Sequence, residues 1–471
     1  MRMPVIPEAI GGRMATNLIA VTSVAARCAG AENADEYWRL LQAARPQFRS
    51  VPSDRWAARP TIRVPGSNNR SYSHVMAPMQ DPFAFDAQRF RVPRARAMRM
   101  DPQQRLAVSL TDELFERSRG DPREASGGRV ATVVGVSSTD YRSISAAPLL
   151  AEATVDGSLG VGNGSERAAV TAAATRAVKP MSGHTMSGVL ANMVAAAVQS
   201  VFDLTGPAFT VDAACASSLT ALDIACSLLS QGRVNACITG GVYTTLTSEA
   251  HVGFSAVGAL SPSGKCRPFT SCADGFVIGE GGALLLLKRF EDAARSGDHI
   301  LGVIEAIGSS NDGRAPGVMT PTVKGQVLAI REALTVRGQE SLRVDAIEGH
   351  GTGTTVGDQA ELETLLEVCD PDAGRPTLLG SAKAIIGHTM AASGALALVK
   401  ALLALENNSW PPQPSLDVSE PHPLLEGAPF RLAGEKCAET PLRRVAVNSF
   451  GFGGTNCHVI LATPHEVESH A

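Results

Sequence analysis

Short runs rich in β-branched and apolar residues recur along the chain: LIAVTSV near the start, then RVATVVGVS, AFTVDA, NACITGGV, HILGVIEAIGSS and VDAIEG. Such runs predict strands, and the helical patterns between them predict an α/β protein with much parallel sheet. In TGPAFTVDAACASSLTALDIACSLLSQG the extended run ends at Asp212 and a helix begins near Cys215. Leu219, Leu222, Cys226 and Leu229 line one face of that helix, and Gly232 stops it. VDAIEGHGTGTTVGDQAELETLL predicts a strand, a glycine-punctuated loop bearing His350, and a helix started by Asp358 with Glu361 three residues on, a capping-box pattern. TLLGSAKAIIGHTMAASGALALVKALLAL repeats the logic with a strand, Lys383, a tight glycine, His388 and an apolar helix. The Ala-, Gly-, Ser- and Thr-rich segment from Ser143 to Ala191 predicts a loop-rich surface excursion with short helices. NNSWPPQPSLDVSEPHPLLEGAPF predicts an extended connection.

Composition narrows the function. The chain has 471 residues, 44% hydrophobic and 19% charged, enough to bury a large core in two or more domain-sized units. Forty-two basic against 46 acidic side chains leave a formal charge of -4, which excludes the basic excess that a nucleic-acid partner requires. The nine cysteines are scattered without a CxxC pair, which argues against a disulfide framework or a zinc site and for a reducing compartment. No apolar run approaches the roughly 18 residues of a membrane span, and the start lacks a signal-peptide block, so the expected location is the cytoplasm.

Among these cysteines Cys215 stands apart. A position at a helix N-terminus would stabilise a thiolate and lower its pKa, and Ala214, Ala216, Ser217 and Ser218 leave room for a substrate to approach. Cys226 and Cys237 read as packing residues. His350 and His388 both follow strand-like runs. In VAVNSFGFGGTNCHVIL, Gly451, Phe452, Gly453 and Gly454 form a backbone suited to unusual φ/ψ angles and to presenting N–H groups, as an oxyanion hole does. Each of these signals is weak alone, since a glycine run can be a tight turn and a lone histidine is more often structural.

Taken together, VDAACASSL, EGHGTGT, GSAKAIIGH and NSFGFGGTNCH resemble the four motif blocks of β-ketoacyl synthases, in that family's order. CRPFTSCADGFVIGEGGA, MDPQQR and IAVTSVAARCAGAENADEYWRLL are similar to the ketosynthase domains of type I polyketide synthases, and the likeness runs from about Leu18 to Leu461. It implies the thiolase fold, five α/β/α/β/α layers built from two similar halves. The nucleophile would lie in an N-terminal half over residues 16–285 and both histidines in a C-terminal half over 286–463, with flexible termini at 1–15 and 464–471. It implies that Cys215 takes an acyl group from an acyl-carrier-protein thioester, and that the N–H groups of Cys215 and Phe452 hold the oxyanion. Neutral His350 and His388 would stabilise the enolate left by decarboxylation of a malonyl-type unit, Lys383 would support that network, and Phe452 would gate the acyl pocket. No cofactor and no metal are implied, and a homodimer would form around Phe209 to Asp212.

The chain departs from the family where many relatives have Asn, here Ile385, and where fatty-acid-type members place a Glu, here Ala397, leaving Lys383 without that carboxylate. The long excursion is reminiscent of iterative polyunsaturated-fatty-acid and enediyne ketosynthases. With no acyltransferase or carrier domain in the sequence, the carrier protein is expected in trans. Two rivals stand beside this reading. One is a ketosynthase-like acyltransferase forming an ester or amide without decarboxylation. The other is a non-catalytic partner subunit, against which Cys215 and both histidines argue.

Overall fold

The computed structural model describes residues 18–53, 55, 56, 70–121, 123, 127–138, 140–155, 181–317, 319–414, 420–434 and 441–468. Among the described residues eleven strands form one mixed sheet. In chain order they are β1 (Ile19–Cys28), β2 (Val130–Gly135), β3 (Ala208–Val211), β4 (Ala236–Tyr243), β5 (Gly281–Arg289), β6 (Gly302–Asn311), β7 (Ala346–Glu348), β8 (Thr377–Gly380), β9 (Phe430–Leu432), β10 (Arg444–Phe450) and β11 (Thr455–Ala462). Among the helices packed against this sheet are α1 (Pro102–Arg117), α2 (Met193–Phe202), α3 (Ser217–Ser230), α4 (Val323–Val336), α5 (Thr355–Val368) and α6 (Ser393–Glu406).

The sheet is a pattern used twice. In the first half β2 lies parallel to β3 and β4, and β5 lies antiparallel to β4 and β1. In the second, β7 lies parallel to β8 and β10, and β11 lies antiparallel to β10 and β6. Each half therefore has the spatial order third, second, fourth, fifth, first strand, and β9 extends the second half. The halves meet where β1 pairs with β6. The expected boundary between 285 and 286 falls inside β5, and the repeat divides after that strand, between Arg289 and Gly302.

Side-chain alternation turns this sheet into layers, because successive strand residues face opposite sides. Val130, Val134, Leu284 and Leu286 point outward into a core with α1 and α2. Ala131, Val133, Leu285 and Leu287 point inward, into the core that holds α3 and α6. In the second half Ile347, Leu379, Ala446 and Ile460 face outward toward α4 and α5. The order is thus outer helices, sheet, central helices, sheet, outer helices. α6 is buried at every position from Ser393 to Leu405, as its all-round apolar sequence requires of a central helix.

Three expectations need revision. The excursion is helical at both ends, over Asp140–Val155 and Thr185–Val189, while residues 156–180 lie outside the described residues. The proline-rich connection carries a single 3-10 turn, Pro423–Leu425, with 415–419 outside the described residues. Residues 464–468 form a helix in which Val467 is buried and Glu466 pairs with Arg444 at 2.7 Å, so this part of the C-terminus is held; residues 1–15 lie outside the described residues.

Candidate active site

The turn before α3 carries Cys215. After β3, Asp212 Oδ1 accepts the Ala214 N–H at 3.0 Å, and Ala214 takes a left-handed φ of 51°. A 3-10 turn, Ala214–Ala216, then leads into α3. The carbonyl of Cys215 is held by the Ser449 hydroxyl at 2.8 Å and the Ser393 hydroxyl at 3.4 Å. The second half repeats this elbow after His388, with Met390 at φ 45° and a 3-10 turn over Met390–Ala392 before α6. Ala391 occupies the place that Cys215 occupies in the first half, so only one of the two elbows carries a nucleophile.

Four of the expected residues converge. His388 Nε2 stands 3.0 Å from Cys215 Sγ. His388 Nδ1 accepts the Met390 N–H at 3.3 Å, which leaves the ring proton on Nε2, directed at the sulfur. His350 meets His388 edge to face at 5.6 Å between ring centroids. The backbone N–H groups of Phe452 and of Cys215 itself favour the charged form of the Cys215 sulfur. Gly453 and Gly454 turn the chain directly after Phe452 with φ of 96° and 83°, a conformation that costs a residue with a Cβ. The Phe452 ring packs against Phe254 at 5.8 Å. These groups border a cleft of about 530 Å³ that reaches Cys215, and Val257, Met319 and Val356 stand half-exposed at its lining.

The electrostatics correct one expectation. Burial pushes the Cys215 thiol up to about 11, against the pull of Lys383 and the two N–H groups. Desolvation outweighs the helix terminus, so the resting group is a thiol rather than the stabilised thiolate expected from sequence. Burial, reinforced by the Lys383 charge, also holds His350 and His388 well below the usual histidine value. Both rings are neutral donors. Lys383 is itself buried, which lowers its pKa, and the negative charges nearest to it in effect are Glu348 and Glu361. With Ala397 in place of the family's Glu, these two carboxylates make up the charge network around Lys383.

Sequence reasoning missed the groups that hold the His350 loop. Glu361 Oε1 accepts the His350 N–H at 2.7 Å and Oε2 accepts the Gly351 N–H at 2.8 Å. Asp358 Oδ1 accepts the Gly353 N–H at 3.1 Å and Oδ2 the Phe269 N–H at 2.6 Å. The expected capping box is thus absent: α5 starts at Thr355, and both carboxylates turn back onto the glycine loop instead. Asp358 and Glu361 lie three apart, hence on one helical face, and that spacing beside EGHGTGT was the available signal. Glu348 accepts the Ala382 N–H at 2.6 Å and pairs with the buried Lys400 at 2.5 Å, tying the strand before His350 to the turn of Lys383.

Among the described residues no group of His, Cys, Asp and Glu is placed to hold a metal ion, and no helix is long and apolar enough to cross a membrane. The eight described cysteines are all free.

Comparison with known proteins agrees with this geometry. The family description "Beta-ketoacyl synthase, N-terminal domain" matches residues 16–293, and "Beta-ketoacyl synthase, C-terminal domain" matches 301–417. The chain is 36% identical over 453 residues to the spectinabilin polyketide synthase system protein NorC of Streptomyces orinoci, covering 94% of this chain and 19% of that protein. It is 34% identical over 465 residues to the mycocerosic acid synthase-like polyketide synthase of Mycolicibacterium smegmatis, covering 94% of this chain and 20% of that protein. It therefore spans about a fifth of either relative. Among solved structures, the oxazolomycin ketosynthase domain OzmH KS7 of Streptomyces albus JA3453 superposes with a TM-score of 0.80 at 30% identity, covering 94% of this chain and 75% of that one. The ketosynthase from module 6 of the bacillaene synthase of Bacillus subtilis 168 gives 0.76 at 29% identity, covering 95% and 72%. The doubled strand pattern is the thiolase fold of these ketosynthases, and the chain belongs to the β-ketoacyl synthase family.

Proposed function

We propose that the chain catalyses acyl transfer followed by decarboxylative Claisen condensation, and that Cys215, His350, His388, Lys383 and Phe452 carry it. The carrying observation is the Cys215 sulfur with His388 Nε2 at 3.0 Å, the His350 ring edge to face with His388, and Phe452 bordering the same cleft. Cys215 attacks the acyl thioester carbonyl, the tetrahedral oxyanion sits on the N–H groups of Cys215 and Phe452, and the carrier thiol leaves with its proton. In the second half-reaction a malonyl-type thioester loses carbon dioxide. The electron pair of the broken C–C bond passes into an enolate whose oxygen accepts from His350 and His388. The enolate carbon attacks the acyl-Cys215 carbonyl, the C–S bond breaks, and the sulfur is regenerated. Lys383 adds positive charge near the sulfur, and the Phe452 ring, lying between glycines, gates the acyl pocket.

The partner is an acyl carrier protein whose thioester arm enters the cleft, and the free cysteines fit a reducing cytoplasm. A second copy pairs along β3. Among the described residues this strand ends the sheet, and all four of its residues are half-buried, the profile of an edge that a partner covers. Acyl transfer to an oxygen or nitrogen acceptor is the weaker reading, because it gives the two facing histidines no enolate to bind. The test is intact-mass detection of Cys215 acylation together with carbon dioxide release from a malonyl-carrier thioester, in wild type, Cys215→Ala and His350→Ala. Acylation and a carbon–carbon product in wild type, lost in both variants, support the proposal. Acylation with no carbon dioxide overturns it in favour of simple transfer.

A further inference from the structure

A buried line of hydrogen bonds runs from the middle of β11 to the His350 loop. His458 is fully buried and lies directly opposite Asn448 in the β10–β11 ladder. Its Nδ1 stands 2.7 Å from Asn448 Oδ1. Asn448 Nδ2 donates to Glu361 Oε1 at 2.9 Å, and Glu361 accepts the backbone N–H groups of His350 and Gly351.

The directions along this line are fixed by chemistry. A carboxylate accepting two backbone N–H groups calls for a donor from Asn448, so the amide turns its NH₂ to Glu361 and its oxygen to His458. That oxygen needs a donor, and His458 Nδ1–H supplies it. The proton then belongs on Nδ1, leaving Nε2 as an acceptor with no hydrogen-bond partner among the described residues. Packing alone does not account for such a group, since an apolar side chain between buried Cys457 and Val459 would leave no acceptor unmet. What the imidazole contributes is a donor aimed at Asn448. Without it the buried Asn448 oxygen has no donor there, the amide is held only at its Glu361 end, and the grip on the loop loosens.

We propose that His458 is a positioning residue for His350: acting through Asn448 and Glu361, it sets the placement of the His350 loop and so the decarboxylation step, without touching Cys215. This rests on the reading above that His350 serves decarboxylation. Cys215 is held by other groups, its backbone carbonyl accepting from the Ser449 and Ser393 hydroxyls.

The test uses the full chain as wild type, His458→Leu, His458→Gln and His458→Asn. Asn places its amide nitrogen where Nδ1 stands and keeps the donor, whereas Gln reaches toward the Nε2 position and loses it. Three quantities are measured: Cys215 acylation by intact mass, carbon dioxide release from malonyl-pantetheine thioester, and amide hydrogen exchange of the segment 349–353. For His458→Leu and His458→Gln the expected result is carbon dioxide release lower by about 5- to 150-fold, the range for a buried acceptor that loses its donor. Acylation stays within about twofold and exchange at 349–353 quickens, while His458→Asn recovers most of the loss. If His458→Leu fails to fold, His458→Gln against His458→Asn carries the comparison. Equal loss of acylation and decarboxylation, or unchanged rates in both donor-lacking variants, overturns the proposal. If wild type acylates but releases no carbon dioxide, the functional reading fails, and the exchange measurement still decides: unchanged protection of 349–353 without the donor overturns the inference.

Discussion

The buried thiol makes a kinetic prediction that runs against the usual picture of an activated cysteine. With Cys215 at about 11, roughly one sulfur in 10⁴ is ionised at pH 7, whereas an exposed thiol near 8.5 is about 3% ionised. The thiolate population is therefore lower by about 300-fold. A more basic thiolate is also more nucleophilic, by roughly 0.4–0.5 log units per pKa unit, which returns about tenfold. Alkylation of Cys215 by iodoacetamide, followed by mass spectrometry of its peptide, should run about 30-fold slower at pH 7 than that of a free cysteine peptide. Its logarithm should climb with unit slope through pH 9 while the peptide levels off near 8.5. Replacing Lys383 by Met, or His388 by Ala, removes a group that favours the thiolate, and each change should slow alkylation further. A plateau at or below pH 8, or a rate at pH 7 above that of the peptide, would show a preformed thiolate–imidazolium pair and refute this reasoning.

Other perturbations test the scaffold. Gly349→Ala would put a Cβ 2.6 Å from Phe269 Cζ beneath the His350 loop, and overpacking of this kind costs about 1–3 kcal/mol, read as a lower urea midpoint at constant m. Lys400→Met strands the Glu348 carboxylate, 1% exposed on its side chain, and should cost about 3–5 kcal/mol; adding Glu348→Leu should return part of that loss in a double-mutant cycle. In the β3 edge, Pro207 and Val211 direct their carbonyls to β2, so by alternation Thr210 directs its N–H outward. Thr210→Pro should then yield a monomer by light scattering that still acylates Cys215, and an unchanged dimer would exclude this edge as the interface.

Much of the local structure was legible in the sequence because it depends on local physics. RVATVVGVS and HILGVIEAIGSS became β2 and β6, since β-branched residues suit a pleated, half- or fully buried strand. The GFGG run became a tight turn, since only glycine takes the φ values at 453 and 454 without cost. The motifs themselves named Cys215, Lys383, His350, His388 and Phe452. Tertiary structure alone decided what those residues meet. Cys215 and His388 lie 173 positions apart and touch because α3 and α6 share the central layer. Glu361 looked like a cap, and its partners turned out to be the loop of His350, which no local pattern specifies. The direction of the Cys215 shift was misjudged for the same reason. The helix terminus that favours a thiolate can be read from the sequence beside it, whereas the desolvation that overrides it comes from chain segments far away in sequence.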